Sequence, residues 1–169
     1  MMRLPSDTKR SGSMMAPGTL LLFFCLAIPP LFFGGGEARA EPRCEPTRAD
    51  SEGPFYMPGA PERTSTGKGL AVSGRLLGAP DCRPLPGARI EWWHADASGA
   101  YDDAHRGSMT VNADGTYGYT TDFPGKYPWR RLHIHVKASA AGYGTLTTQL
   151  YLRGGEKQVV FDIVLVPQK

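Results

Sequence analysis

The chain has 169 residues, enough for one hydrophobic core and too few for two substantial domains. Hydrophobic residues at 41% and charged residues at 21% exclude a disordered tail or a coiled coil, and Gly 21 with Pro 15 favours short strands and turns over long helices. The formal charge of +3 sits mostly in residues 1–40, where four Lys/Arg face two acids; the remaining 15 against 14 gives no basic footprint for nucleic acid.

Residues 1–40 read as an export signal. Arg3, Lys9 and Arg10 form a basic start, Leu20 to Phe33 an apolar stretch, and Ala38-Arg39-Ala40 an A-x-A cleavage site. A membrane anchor is the other reading, but Pro29 and Pro30 break the stretch and leave it short of the roughly 20 residues of a span. No stable membrane insertion is therefore expected after cleavage, and the location is periplasmic or secreted. Cleavage removes Cys25 and leaves Cys44 and Cys82. An even pair in an oxidising compartment points to a disulfide; two buried free thiols are the alternative, and a zinc site lacks neighbouring ligands.

Residues 41–69 are dominated by Pro, Gly, Thr and charge, which predicts an irregular arm. From residue 70 to 169 the period is two. Leu70–Leu76 and Ala88–His94 read as strands, with Pro84-Leu85-Pro86-Gly87 as the turn between them. Tyr101 falls just past the second strand, and Asp102–Arg106 reads as a solvated loop containing His105. Asn112-Ala113-Asp114-Gly115 is a turn into the strand Thr116–Thr121. Leu132–Lys137 alternates cleanly, and Thr145–Leu152 with Gln158–Val166 predicts a hairpin around Arg153–Glu156. No sustained period near 3.6 follows residue 41. The predicted fold is all-β, an antiparallel β-sandwich behind an N-terminal arm.

His133-Ile134-His135 is the sharpest local feature. Side chains two apart on a strand share a face, so two imidazoles about 7 Å apart along the strand can converge on one ion. Satisfied histidines on a solvent face are the plainer reading. Two tyrosines strengthen the first. Tyr127 lies between Gly and Pro turn residues, and Tyr101 follows the turn Asp96–Gly99. A free tyrosine is a poor ligand with a pKa of about 10, but a trivalent cation stabilises its phenolate. Phenolates are hard donors suited to ferric iron. His94, at a strand end, reads as a hydrogen-bonded structural histidine.

Together these residues resemble the intradiol ring-cleavage dioxygenases, non-haem iron(III) enzymes that open catechols between their hydroxyls. Glu52-Gly53-Pro54-Phe55-Tyr56 is similar to the start of the family's catalytic domain. Glu91-Trp92-Trp93-His94-Ala95-Asp96 with Gly99-Ala100-Tyr101 resembles the stretch ending in the first iron-binding tyrosine. Pro124–Pro128 resembles the loop bearing the second, Arg130 and His133-Ile134-His135 the arginine and histidine ligands, and Leu146–Tyr151 the strand that follows. The resemblance implies an Fe(3+) site of Tyr101, Tyr127, His133 and His135, with a small catechol-type substrate and O2 as partners. It implies Tyr127 as a base, Arg130 to stabilise negative charge at the ring, and Gln149 to orient the bound species. Tyr56 is a candidate wall of the substrate pocket, with packing of the arm as its other reading. The product implied is a cis,cis-muconate-type diacid.

The chain departs from the large members of the family in its spacing. Tyr127 stands six positions before His133, and the turn at Asn112 eleven after Tyr101, which implies a trimmed active-site rim. The helical N-terminal domain of some members is not expected here. Two other classes stay open: a non-catalytic exported binding module, and a hydrolase with zinc on His133 and His135, for which no third ligand is evident. The oligomeric state is left open.

Overall fold

The computed structural model describes residues 44–126 and 128–169. Ten strands form, and no helix occurs among the described residues. They are β1 (Ser65–Thr66), β2 (Leu70–Gly78), β3 (Arg83–Pro84), β4 (Arg89–Ala95), β5 (Tyr101–Thr110), β6 (Thr116–Thr121), β7 (His133–Ser139), β8 (Leu146–Tyr151), β9 (Gln158–Val160) and β10 (Ile163–Leu165).

One sheet runs β1-β6-β2-β10, with β3 and β9 also paired to β2; the other runs β5-β4-β7-β8. Their facing sides share one core. Leu70, Val72, Tyr119 and Ile163 from the first sheet meet Ile90, Trp92, Ile134, Val136 and Leu150 from the second, and Trp92 stacks on Tyr119 at 4.1 Å. Alternation along the strands delivers this packing, since every second residue of β4 and β7 faces inward.

The all-β sandwich matches the period-two reading, with three corrections. The predicted hairpin over 145–166 does not form: β8 pairs antiparallel with β7, whereas β9 and β10 cross to the other sheet and pair parallel with β2. The first sheet is therefore mixed rather than antiparallel, and β1 also joins β6 in parallel. Third, Tyr101–Arg106 is not loop but the first half of β5, which pairs with β4 through a register shift between Trp93 and Ala95. His105 is correspondingly shielded, with Nδ1 2.7 Å from Asp102 Oδ1 and Nε2 3.5 Å from Asp122 Oδ2. The candidate signal of residues 1–40 lies outside the described residues.

The arm crosses the outer face of the second sheet, opposite the core. It starts at Cys44, which is disulfide-bonded to Cys82. Asp50 N–H donates to the Thr147 carbonyl on β8, Lys137 Nζ on β7 donates to Glu52 at 2.8 Å, and Tyr56 Oη donates to Glu91 on β4. Ser108 on β5 donates to the Ala60 carbonyl. Each strand of the sheet thus holds the arm at one point or more, and the space between arm and sheet becomes the site.

Candidate active site

His133 and His135 stand on β7 with their rings on the outer face, while Ile134 between them is fully buried in the core. The two residues are only 3% and 2% exposed, and Gly53 of the arm lies against the His135 ring. His133 Nδ1 lies 2.7 Å from the Arg131 carbonyl. A carbonyl only accepts, so Nδ1 carries the proton and Nε2 presents its lone pair to the site. The His135 ring stacks on Trp93 at 4.9 Å with an interplanar angle of 5°. Its Nδ1 makes no hydrogen bond among the described residues; the Ser51 backbone opposes the lowering of its pKa without reaching bonding geometry.

The Tyr101 phenol meets this pair. Its Oη is 3.4 Å from His133 Nε2 and 3.3 Å from His135 Nε2, and the two Nε2 atoms are 3.1 Å apart. Burial first, and the neighbouring His133 second, push His135 down to about 4; burial also lowers His133. Both rings are therefore neutral near pH 7. One oxygen and two nitrogens this close can direct their lone pairs at a single cation. Among the described residues no group of three or more His, Cys, Asp or Glu could hold a metal ion, and the third converging donor is the phenol. A phenol oxygen, a hard anionic donor once it loses its proton, beside two imidazoles fits ferric iron. Tyr127, the second expected phenolate, lies outside the described residues.

Beside these donors opens a cleft of about 280 Å³ lined by Ser51, Gly53, Pro54, Phe55, Tyr101, Arg130 and His135. Arg130 brings its guanidinium to the wall, and Nη2 donates to Gln149 Oε1 at 3.0 Å. Gln149 Nε2 in turn donates to the Ser51 carbonyl at 2.7 Å. Both polar ends of Gln149 are thus engaged, and it seats Arg130 rather than facing the cleft. Phe55 stacks on Tyr101 at 4.5 Å and forms the outer wall. Tyr56 lies behind that wall, packed against Trp93 and under Lys137.

Sequence reasoning missed Gly53 and Phe55 as parts of the site. Gly53 has a φ of +72°, and a Cβ there would stand 3.1 Å from His135 Cε1. A glycine fixed between Glu and Pro was the available signal. His94 matches its structural reading: it is 1% exposed and bonded through both ring nitrogens to Ala95 O and Thr121 Oγ1.

The family model described as "Dioxygenase" matches residues 51–168. The chain is 31% identical to the 6-chlorohydroxyquinol 1,2-dioxygenase of Cupriavidus pinatubonensis, over 80% of this chain and 60% of that protein. It spans 54% of a chlorocatechol 1,2-dioxygenase from the same organism, so these curated relatives are considerably longer. Among solved structures, it is 37% identical to the dioxygenase domain of a dioxygenase carbohydrate-binding protein fusion from Streptomyces sp. SirexAA-E. That match covers 73% of this chain and 100% of the other, with a TM-score of 0.68. An intradiol ring-cleavage dioxygenase from Tetranychus urticae shares the fold at a TM-score of 0.66 and 19% identity, over 75% of this chain and 97% of that one. The family match runs through both sheets and includes Tyr101, His133 and His135, and on that ground the chain belongs to the intradiol ring-cleavage dioxygenase family.

Proposed function

We propose that the chain is a ferric non-haem dioxygenase that opens a catechol-type ring between its two hydroxyl-bearing carbons. Both atoms of O2 enter the product, a cis,cis-muconate-type diacid. The observation that carries this reading is the meeting of Tyr101 Oη with both histidine Nε2 atoms within 3.4 Å, at a cleft that also holds Arg130. Similar curated proteins are named for 6-chlorohydroxyquinol and chlorocatechol, which supports a ring with adjacent hydroxyls as the substrate class.

Tyr101, Tyr127, His133 and His135 would hold Fe(3+). Bound there, iron(III) would supply Lewis-acid chemistry that activates a hydroxyl-bearing ring carbon toward O2. The neutral imidazoles offer lone pairs without adding positive charge, and the Arg131 carbonyl fixes the His133 tautomer. The Tyr127 phenolate oxygen takes a proton from a catechol hydroxyl as the substrate enters. Arg130 offsets the negative charge that develops at the ring, and Gln149 keeps the guanidinium aimed by bonding Nη2 and anchoring itself on Ser51. Phe55 covers one face of the Tyr101 ring and limits the water that reaches it.

The test is oxygen uptake by the iron-loaded protein with a panel of catechols and hydroxyquinols, with products identified by mass and ultraviolet spectrum. A diacid carrying both added oxygens is expected. No uptake with any substrate would overturn the reading in favour of a binding module, and a yellow semialdehyde would overturn the cleavage position. Tyr101→Phe removes a phenolate at nearly constant volume and should shift the visible absorption of the iron-loaded protein. We also propose export with cleavage after Ala40, a reading supported by the Cys44–Cys82 disulfide. N-terminal sequencing of the exported protein tests it.

A further inference from the structure

We infer that His94 is a positioning residue for the Tyr101 phenol, acting from the core side of β4 through the Ala95 carbonyl. The inference rests on the reading of Tyr101 as a ligand.

His94 Nδ1 stands 2.8 Å from Ala95 O, and Nε2 stands 2.6 Å from Thr121 Oγ1. The carbonyl can only accept, so Nδ1 donates and Nε2 accepts the Thr121 hydroxyl. Thr121 Oγ1 in turn accepts from Thr66 Oγ1 at 2.7 Å, and Thr66 accepts from Trp92 Nε1 at 3.2 Å. Every proton in this buried chain has one direction, from Trp92 through Thr66, Thr121 and His94 to Ala95. It joins β1, β6 and β4. Burial pushes His94 down to about 4, which keeps the imidazole in the neutral form that this direction requires. A residue needed only to fill the core would be met by Leu or Phe, without the cost of desolvating polar atoms.

The chain ends where the site begins. Ala95 sits opposite Tyr101 in the ladder, next to the register shift after Trp93. Asp96 N–H donates to the Ala100 carbonyl at 2.7 Å, and Asp96 Oδ1 accepts from the Ser98 and Ala100 amides, closing the turn that delivers Tyr101. Gly125 N–H is shared between Ala95 O at 3.4 Å and Asp96 O at 3.0 Å. A Cβ on Gly125 would lie 2.2 Å from Asp96 O, so that loop is pressed directly onto the turn. On the opposite face of the same segment, Trp93 backs the His135 ring. The direction of the Ala95 carbonyl therefore bears on the turn, on the Gly125 contact and on Tyr101.

His94→Asn and His94→Gln test this. The Asn amide nitrogen stands as many bonds from Cβ as Nδ1 does, so it can keep the bond to Ala95 O; Gln reaches the Nε2 position instead. Both variants should lower the unfolding midpoint, because each loses one partner. In the metal-free protein, exchange of the Asp96 and Gly125 amides should quicken about tenfold or more in His94→Gln and stay near wild type in His94→Asn. Iron(III) affinity should fall about tenfold in the Gln variant alone, with a shifted phenolate absorption band that Asn restores. Equal amide exchange and equal absorption in the two variants would overturn the inference, as would wild-type exchange and absorption in His94→Gln. A wild type that binds no iron overturns the ligand reading, and the exchange comparison still decides the positioning.

Discussion

Gly53→Ala should weaken the site more than it weakens the fold. Gly53 has a φ of +72°, a conformation that costs an L-residue about 1–2 kcal/mol. Alanine recovers about 0.4–1 kcal/mol of that by restricting the unfolded chain, so the net loss of stability is about 1 kcal/mol. The new Cβ would also meet His135 Cε1 at 3.1 Å and Nε2 at 3.5 Å, where ordinary contacts begin at 3.4 Å. The ring has little freedom to retreat, because Trp93 stacks on it at 4.9 Å and the His133 Nε2 atom stands 3.1 Å from its own. The result should be an iron(III) affinity lowered about tenfold or more, as for other changes that displace a ligand's support. Gly59→Ala is the control: its φ is +74° with nothing within 4 Å of the added Cβ, so it carries the same backbone strain and no contact. Urea midpoints and chelator competition are measured on both. Equal iron affinity in Gly53→Ala and Gly59→Ala refutes the view that Gly53 seats His135.

Arg130→Ala should lower kcat about 100-fold or more while iron content stays near wild type, since the guanidinium acts on the ring and not on the metal; parallel loss of iron and activity would refute that division. Reducing the Cys44–Cys82 disulfide, whose partners are 38 positions apart, should remove about 4 kcal/mol and lower Tm by roughly 10–20 °C. An unchanged Tm in reductant, with both thiols titrated, would contradict it. Acid should destabilise the metal-free protein through His94, whose pKa falls from 6.5 to about 4 on burial. Above pH 6.5 neither state is protonated there; between 6.5 and 4 the unfolded chain takes the proton first, and about 3 kcal/mol is lost across that window. Urea midpoints against pH should fall less steeply in His94→Asn than in wild type, and equal slopes would count against the assignment.

The strands that frame the core were legible from their period of two: Arg89–Ala95 and His133–Ser139 send every second residue, Ile90 and Trp92 or Ile134 and Val136, into the core. The same parity put His133 and His135 on one face. β5 was hidden because Asp102-Asp103-Ala104-His105-Arg106 carries no apolar alternation. It is an edge strand whose first half is largely exposed, so burial does not write a pattern there. The pairing of β9 and β10 with β2 was equally out of reach, because a short strand with a Gly-Gly turn before it reads the same whether it folds back or crosses to the other sheet. Tyr101 was found as a residue but misplaced as loop. The role of Gln149 shifted because its two ends meet Arg130 and Ser51, contacts that depend on where the arm lies.

The alternation His133-Ile134-His135 has a consequence for how such a chain drifts over generations. Ile134, fully buried, contributes to the core, while its two neighbours face the cleft side of the sheet. Substituting either histidine leaves the contacts of Ile134 intact, so selection on solubility and selection on turnover act on different letters of the same strand. A descendant that lost either histidine would keep the core beneath it. The sheet can thus be inherited as a scaffold long after, or long before, any ring is opened on it.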